Sequence, residues 1–108
     1  MAKKHLRILG TGSYLPERRV TNADLEGMVR NFDPEKAGKS FVPWAEDVTG
    51  IRERRFAGDE TVEDMAREAS LRAMKAAGTA PGDIQFIIAC SFTPSCAIPN
   101  MACTLGGM

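Results

Sequence analysis

The sequence predicts an α/β fold, and three segments carry that prediction. The N-terminal stretch HLRILGTGSYLP has a short apolar part that breaks at glycines, which is typical of a buried strand followed by a turn. The stretch DIQFIIAC has the composition of a second buried strand. The clearest helix signal in the chain lies between them. Strand, helix and strand in this order indicate a parallel βαβ unit with a right-handed crossover.

The helix signal occupies ETVEDMAREASLRAMKAAG. Thr61 and Asp64 form a predicted N-terminal cap, and Gly78 stands where a helix would end. Apolar residues recur at helical spacing and form a stripe along one side of this helix. Leu71 points away from that stripe and therefore needs a second surface to pack against. Acid–base pairs Glu63–Arg67 and Glu68–Arg72 are predicted at i,i+4 spacing. Small side chains dominate the stripe, so the helix must approach its neighbour closely: Val62, Met65, Ala66, Ala69, Ala73, Ala76 and Ala77.

The other segments have weaker signals. Thr21 and Asp24 predict a capping box and a short helix from Asn22. The stretch RNFDPEKAGKSFVP and the residues after it, as far as Glu60, are predicted to be loop because Asp-Pro, Gly and Pro interrupt them. A further helix is predicted from Pro99 or Asn100. Two strands and one complete helix cannot cover both faces of a parallel sheet, so we expect the opening part of a larger protein.

Composition excludes several classes of protein. The chain has 108 residues, 44% of them hydrophobic, which suits one small globular domain. Fourteen basic residues balance fourteen acidic ones, so no charge excess indicates nucleic acid or an anionic membrane as a partner. No apolar run approaches the ~20 residues of a bilayer span, and the N-terminus lacks the apolar core of a signal peptide. We therefore expect a cytoplasmic protein.

The three cysteines, Cys90, Cys96 and Cys103, do not form a metal motif. They include no C-x-x-C pair, and the only histidine, His5, is far away in sequence, so no metal site is expected. Cys103 lies near a predicted helix start, where a nucleophilic thiol is sometimes activated. Its neighbours are apolar and no histidine is near in sequence. We predict a small core residue.

Two further motifs contain residue types that can bind a nucleotide or a phosphate. GTGSYLP lacks the third glycine of a dinucleotide loop, with Leu15 at that position, and is predicted to be a glycine turn. A basic cluster could grip a phosphate or pair with Glu53, Asp59 or Glu60, and the sequence leaves both open. That cluster consists of Arg52, Arg54 and Arg55, joined by Arg18 and Arg19.

Taken together and in order, five stretches resemble the N-terminal part of β-ketoacyl-ACP synthase III, the initiating condensing enzyme of type II fatty acid synthesis. They are ILGTGSYLPERRVTNADLE, a Trp followed by TGIRERRFA, ETVEDMAREASLRAMKAAG, DIQFIIACSFTP and PNMAC. The resemblance implies a thiolase-like fold with two similar halves, each a mixed five-stranded sheet between helices. Residues 1–108 would form the N-terminal part of the first half, with the remainder of the fold absent from this sequence.

The resemblance also implies where the catalytic residues of the family lie. The catalytic Cys, His and Asn of the family would all lie outside these residues, so the chain would contain no catalytic residue, and Cys103 would match a structural Cys. The parent enzyme would be a cytoplasmic, homodimeric acyltransferase that uses acyl-CoA as substrate, malonyl-acyl carrier protein as partner and no bound cofactor. A related condensing enzyme of secondary metabolism and a non-catalytic scaffold are the alternatives.

Three residues match substrate-binding positions of the family. Trp44 matches a Trp that stacks on the adenine of coenzyme A, a role that suits an exposed indole on a loop. Ser40 falls where relatives often have a hydroxyl near the same nucleotide. Ile98 matches a position that crosses the dimer interface and closes the partner's acyl pocket. Aromatic residues occur there in relatives with acetyl primers, so Ile98 would admit a longer or branched primer.

Two departures from the family pattern concern the coenzyme entrance. The loop RNFDPEKAGKSFVP is longer than usual, and Val48 stands where many relatives have an Arg. Arg52 and Arg55 are the nearby substitutes. The acidic carrier protein would favour basic residues near the tunnel mouth, for which Arg18 and Arg19 are candidates.

Overall fold

The computed structural model describes residues 3–108, which divide into two compact units. One unit is Pro16–Gly58, and the other combines residues 3–15 with Asp59–Met108. Helices and a small sheet together give an α/β chain, as the sequence predicts.

The unit Pro16–Gly58 contains a two-stranded antiparallel sheet and three helices. Arg18 lies opposite Phe56 in the sheet, and Thr21 lies opposite Glu53. The buried apolar side chains of this unit are Val20, Phe41 and Ala45. Its elements in chain order are β1 (Arg18–Thr21), α1 (Asn22–Glu26), α2 (Pro34–Ala37), α3 (Phe41–Thr49) and β2 (Glu53–Phe56).

The predicted capping box at the start of α1 is confirmed. The Asp24 N–H donates to Thr21 Oγ1 over 3.2 Å, and the Thr21 N–H donates to Asp24 Oδ2 over 3.0 Å. These bonds satisfy backbone groups that a helix start would leave without partners.

The predicted loop over residues 30–60 is wrong, because α2, α3 and β2 lie there. Both prolines that suggested a loop stand in the first turn of a helix, Pro34 in α2 and Pro43 in α3. An N–H in the first turn has no intrahelical acceptor, so proline is tolerated there. Gly50 ends α3 with φ 69°, a left-handed conformation that favours glycine.

Asn22 joins the start of α1 to β2 and the residues before it. Its side chain is only 4% exposed. The side-chain Nδ2 donates to the Ile51 carbonyl over 2.8 Å, and Oδ1 accepts from the Arg54 guanidinium over 2.6 Å. Hydrogen bonds at both ends of the amide offset the cost of burying it, and they fix these segments in register.

The second unit contains the predicted long helix. Helix α4 spans Val62–Ala77, begins with a Thr61–Asp64 capping box and ends at Gly78, whose φ is 67°. A single turn of 3₁₀ helix follows at Pro81–Asp83, and α5 spans Met101–Gly107. Asn100 caps α5, so Pro99 lies before the helix rather than inside it.

The two predicted strands of the parallel βαβ unit do not form. Among the described residues, the only sheet is the antiparallel β1–β2 pair. A strand requires a hydrogen-bonded partner, and neither apolar segment has one within residues 3–108. Apolar side chains of these segments are correspondingly exposed: Leu6 by 105%, Ile8 by 88%, Phe86 by 81% and Ile88 by 79%.

The alanine stripe of α4 does approach its neighbour closely, and the neighbour is the glycine segment before Tyr14. A Cβ placed on Gly12 would lie 2.3 Å from the Ala69 carbonyl oxygen and 2.4 Å from the Ala73 nitrogen. A Cβ on Gly10 would lie 2.7 Å from the Ala77 nitrogen. GTG is therefore more than a turn, because two glycines let one backbone touch another.

Replacing Gly12 by alanine is expected to destabilise the protein strongly. The added methyl would meet backbone atoms that cannot rotate away, and overpacking of this kind costs about 1–3 kcal/mol or more. Gly82→Ala is the matched control, since its new Cβ would meet nothing within 4 Å. Urea unfolding of the protein containing this segment measures both changes. Equal midpoints for the two variants would contradict the close approach.

Candidate functional site

Trp44 lies on helix α3, so its predicted place on a loop is wrong. The indole is half-buried in an aromatic cluster within its own unit. Its centroid lies 5.1 Å from the Phe32 ring and 6.0 Å from the Phe41 ring, both in tilted arrangements. These contacts restrict the orientation of the indole, while part of its surface remains accessible to a ligand.

Ser40 stands at the N-cap of α3, one turn before Trp44. Its hydroxyl makes no capping hydrogen bond, and the residue is exposed. The Ser40 carbonyl accepts the Trp44 N–H over 3.2 Å. The structure therefore brings these two predicted binding residues together at one end of a helix.

The arginines of the basic cluster are largely engaged with nearby groups. Arg52 Nε donates to Glu46 over 2.8 Å, and Arg55 donates to the Pro16 carbonyl over 2.9 Å. Arg52 and Arg55 were the expected substitutes for the Arg that many relatives have at position 48. Val48 itself is 65% exposed. Neither Arg52 nor Arg55 bonds to a predicted acidic partner in these contacts, and Arg54 and Arg55 point to opposite faces of the sheet as neighbours on β2.

The two arginines of β1 make looser contacts. The Arg18 guanidinium lies 5.9 Å from the centre of the Phe56 ring. Arg19 forms an ion pair with Glu53 at 3.8 Å, and both side chains are half-exposed or more. Exposed pairs of this kind contribute little to stability, so Arg19 is available to exchange its partner.

Ile98 belongs to the other unit, in the irregular segment of residues 91–100 between the 3₁₀ turn and α5. Its side chain is 91% exposed. Every residue from 91 to 100 is exposed, and none lies in a helix or strand. Neither burial nor secondary structure fixes the position of the Ile98 side chain. Other residues must therefore hold the segment if Ile98 is to occupy a defined position.

Glu63 is a residue whose role the sequence did not predict. The predicted i,i+4 pairs are wrong: Arg67 pairs with Glu68 over 3.2 Å, and Arg72 donates to the Ser13 carbonyl over 2.8 Å. Glu63 is only 5% exposed and faces the segment of residues 91–100.

Glu63 holds that segment through Ser95. The Ser95 N–H donates to Glu63 Oε1 over 2.9 Å, and the Ser95 hydroxyl donates to Oε2. The hydroxyl bond first, and then the N–H bond, lower the pKa of Glu63 below its usual 4.5. No local sequence signal indicated this contact, because Ser95 lies 32 residues further along the chain.

The three cysteines lie in the unit that contains α4 and α5. All three are free and exposed, so the prediction that Cys103 is a core residue is wrong. Cys103 lines an apolar cavity of about 780 Å³ between α4 and α5, and Leu71 lines the same cavity. Leu71 is nevertheless 37% exposed, so the second contact surface that the sequence required for it is not found among the described residues. No cluster of three potential metal ligands occurs in residues 3–108.

Within the described part of the chain, every helix is too short or too polar to traverse a bilayer.

Comparison with known proteins agrees with the resemblance found in the sequence. The β-ketoacyl-[acyl-carrier-protein] synthase III of Enterobacter sp. (strain 638) is 44% identical over 105 residues, which are 96% of this chain and 30% of that protein. The crystal structure of 3-oxoacyl-[acyl-carrier-protein] synthase III from Aquifex aeolicus VF5 matches with a TM-score of 0.77 and 37% identity, over 93% of this chain and 30% of the other. No protein-family model matches the chain.

A solved structure from a different pathway is also similar. The priming β-ketosynthase of the R1128 polyketide biosynthetic pathway matches with a TM-score of 0.67 and 32% identity. It covers 94% of this chain, which corresponds to 28% of the ketosynthase.

These matches define the class first: the chain has an α/β fold similar to part of the thiolase-like condensing enzymes. Within that class it is a homologue of the N-terminal part of β-ketoacyl-ACP synthase III. The chain spans about 30% of the length of the curated relatives it matches.

Three hydrogen-bonded carboxylates predict how stability depends on pH. The Thr21 N–H and hydroxyl lower the pKa of Asp24, the Thr61 N–H and hydroxyl lower that of Asp64, and Ser95 lowers that of Glu63. A lowered folded-state pKa stabilises the protein above the unfolded-state value and loses that contribution as pH falls through the folded-state value.

The urea midpoint is therefore expected to be steady between about pH 7 and 5 and to fall below about pH 4. Asp64→Asn with Glu63→Gln should make the acid limb shallower than in the parent protein. A midpoint that is unchanged down to about pH 2.5 would contradict the assignment of these bonds.

Proposed function

We propose that the protein containing these residues is an initiating condensing enzyme of type II fatty acid synthesis. The observation that carries the proposal is 44% identity to β-ketoacyl-[acyl-carrier-protein] synthase III across 96% of the chain. Acyl-CoA is the proposed first substrate and malonyl-acyl carrier protein the second. The proposed enzyme is a cytoplasmic homodimer that needs no bound cofactor.

The proposed reaction has two steps. A cysteine thiolate attacks the carbonyl of acyl-CoA, forms a thioester and releases coenzyme A as the leaving thiolate. Malonyl-acyl carrier protein then loses carbon dioxide, and the resulting carbanion attacks the thioester and expels the cysteine. The product is β-ketoacyl-acyl carrier protein. We assign none of these 108 residues to the nucleophile or its catalytic partners.

Trp44 and Ser40 are the proposed nucleotide-binding residues. An indole presents a large flat face to a purine, and Phe32 and Phe41 support the ring from within its own unit. The Ser40 hydroxyl, which is not used as a cap, is free for a polar contact with the same nucleotide. Arg19, held only by an exposed ion pair, is the proposed contact for the acidic carrier protein.

Ile98 is the proposed specificity residue. Its exposure suits a side chain that enters the partner subunit's acyl pocket in a homodimer. A branched aliphatic residue leaves more room than an aromatic one, so the proposed primer is longer or branched.

A related condensing enzyme of secondary metabolism is the second candidate. The R1128 priming β-ketosynthase supports it, with 32% identity and a TM-score of 0.67. The two candidates share the chemistry and differ in the primer and in the carrier protein that accepts it.

The primer preference is tested with acetyl-, isobutyryl- and octanoyl-CoA and malonyl-acyl carrier protein. We expect kcat/KM to favour isobutyryl- or octanoyl-CoA over acetyl-CoA. Ile98→Phe should reverse the preference by about tenfold, the discrimination that one or two methylenes provide. Turnover of acetyl-CoA alone would refute the primer assignment, and absence of any condensation would refute the proposed function. Preference for the carrier protein of a polyketide pathway would support the second candidate.

The role of Trp44 is tested by Trp44→Ala with two substrates that differ in the nucleotide. Loss of stacking on adenine, worth about 1–3 kcal/mol, should raise KM for acyl-CoA by roughly tenfold or more. Acyl-pantetheine lacks the adenine and serves as the matched control, so its KM should change little. An equal loss with both substrates would indicate that Trp44 acts only by packing on Phe32 and Phe41.

A further inference from the structure

Glu63 is the only charged side chain that is buried in the part of the chain that the structure describes. It is 5% exposed, and the other buried polar side chain in residues 3–108 is Asn22. A buried carboxylate is costly unless hydrogen bonds compensate its charge. Glu63 receives that compensation from the N–H and hydroxyl of Ser95.

Glu63 interacts with its own N–H and with the Thr61 hydroxyl at the start of α4, but its two largest interactions are with Ser95. Asp64 accepts the Thr61 N–H over 2.9 Å and completes the cap of α4 by itself. No basic side chain pairs with Glu63 among the described ion pairs. Both of its carboxylate oxygens accept hydrogen bonds from Ser95, so its strongest contacts hold the segment of residues 91–100.

That segment is held at two points. Ser95 is bonded to Glu63, and Asn100 is bonded through its side chain to the Cys103 N–H at the start of α5 over 3.0 Å. The other described hydrogen bond of residues 91–99 is local, from the Thr93 N–H to Ser91. Ile98 lies three residues after Ser95, within about 11 Å of it along an extended chain. Its position therefore depends on both anchors.

We propose that Glu63 is a positioning residue that sets the acyl-group preference of the enzyme by fixing the segment that carries Ile98. The proposal rests on the proposed function, because Ile98 discriminates between primers only if it closes an acyl pocket. Glu63 does not touch the substrate. It acts through Ser95, and its removal lets the segment move so that Ile98 no longer limits the pocket.

The test compares Glu63→Ala with Glu63→Gln in the protein that contains this segment. Glutamine retains an oxygen for the Ser95 N–H and an amide for its hydroxyl, whereas alanine retains neither. We expect Glu63→Ala to reduce the kcat/KM ratio between preferred and rejected acyl-CoA primers by roughly tenfold, toward equal use. Glu63→Gln should restore most of the ratio. Glu68→Ala on the same helix is the matched control and should leave it unchanged.

A second measurement is independent of activity. Hydrogen exchange at the Ser95 amide should be faster in Glu63→Ala and near the parent rate in Glu63→Gln. If Glu63→Ala does not fold, Ser95→Ala removes one of the two bonds and should give a smaller change in the same direction.

The outcomes separate the two proposals. An unchanged primer ratio or an unchanged Ser95 exchange rate in Glu63→Ala overturns the role of Glu63, even when Ile98→Phe alters the ratio. Loss of primer discrimination together with fast exchange supports it. If the parent protein transfers no acyl group, the proposed function fails and the primer role of Glu63 fails with it, while the exchange rate still shows whether Glu63 anchors the segment.

Discussion

The contact on which the second unit depends is the approach of the Gly10 and Gly12 backbone to the alanine stripe of α4. Only residues without a side chain fit at this distance, because a Cβ would lie within 3 Å of helix backbone atoms. The contact continues beyond the glycines, where Arg72 donates to the Ser13 carbonyl and lies 5.4 Å from the centre of the Tyr14 ring. One face of α4 is thus occupied by the N-terminal segment.

The other parts of α4 hold the remaining segments of the unit. Leu71 faces the cavity beside α5, and Glu63 in the first turn bonds to Ser95. The unit is therefore assembled around one helix, with small residues where a backbone must come close and a carboxylate where an irregular segment must be fixed. In the unit Pro16–Gly58, Asn22 has the corresponding role, since its buried amide joins α1 to β2.

Features with local causes were predictable from the sequence, and features with distant causes were not. Helix α4 was predicted with its cap and its end, because Thr61, Asp64 and Gly78 act within one turn of it. Pro43 misled the prediction for α3, since proline breaks a helix interior and is tolerated in its first turn. The apolar segments lacked strand partners, and the partner of Glu63 is 32 residues away. Trp44, Ser40 and Ile98 were chosen by family resemblance alone.

Under the proposed function, the two binding roles require different degrees of support. Stacking on adenine uses a whole aromatic face and tolerates small displacements, so one nine-residue helix and two phenylalanine rings are sufficient for Trp44. Discrimination between primers depends on pocket volume, where one or two methylenes are worth only about 1–3 kcal/mol. A side chain on an irregular segment can supply such a small difference only if the segment does not move. The buried carboxylate of Glu63 is the structural element that meets this requirement.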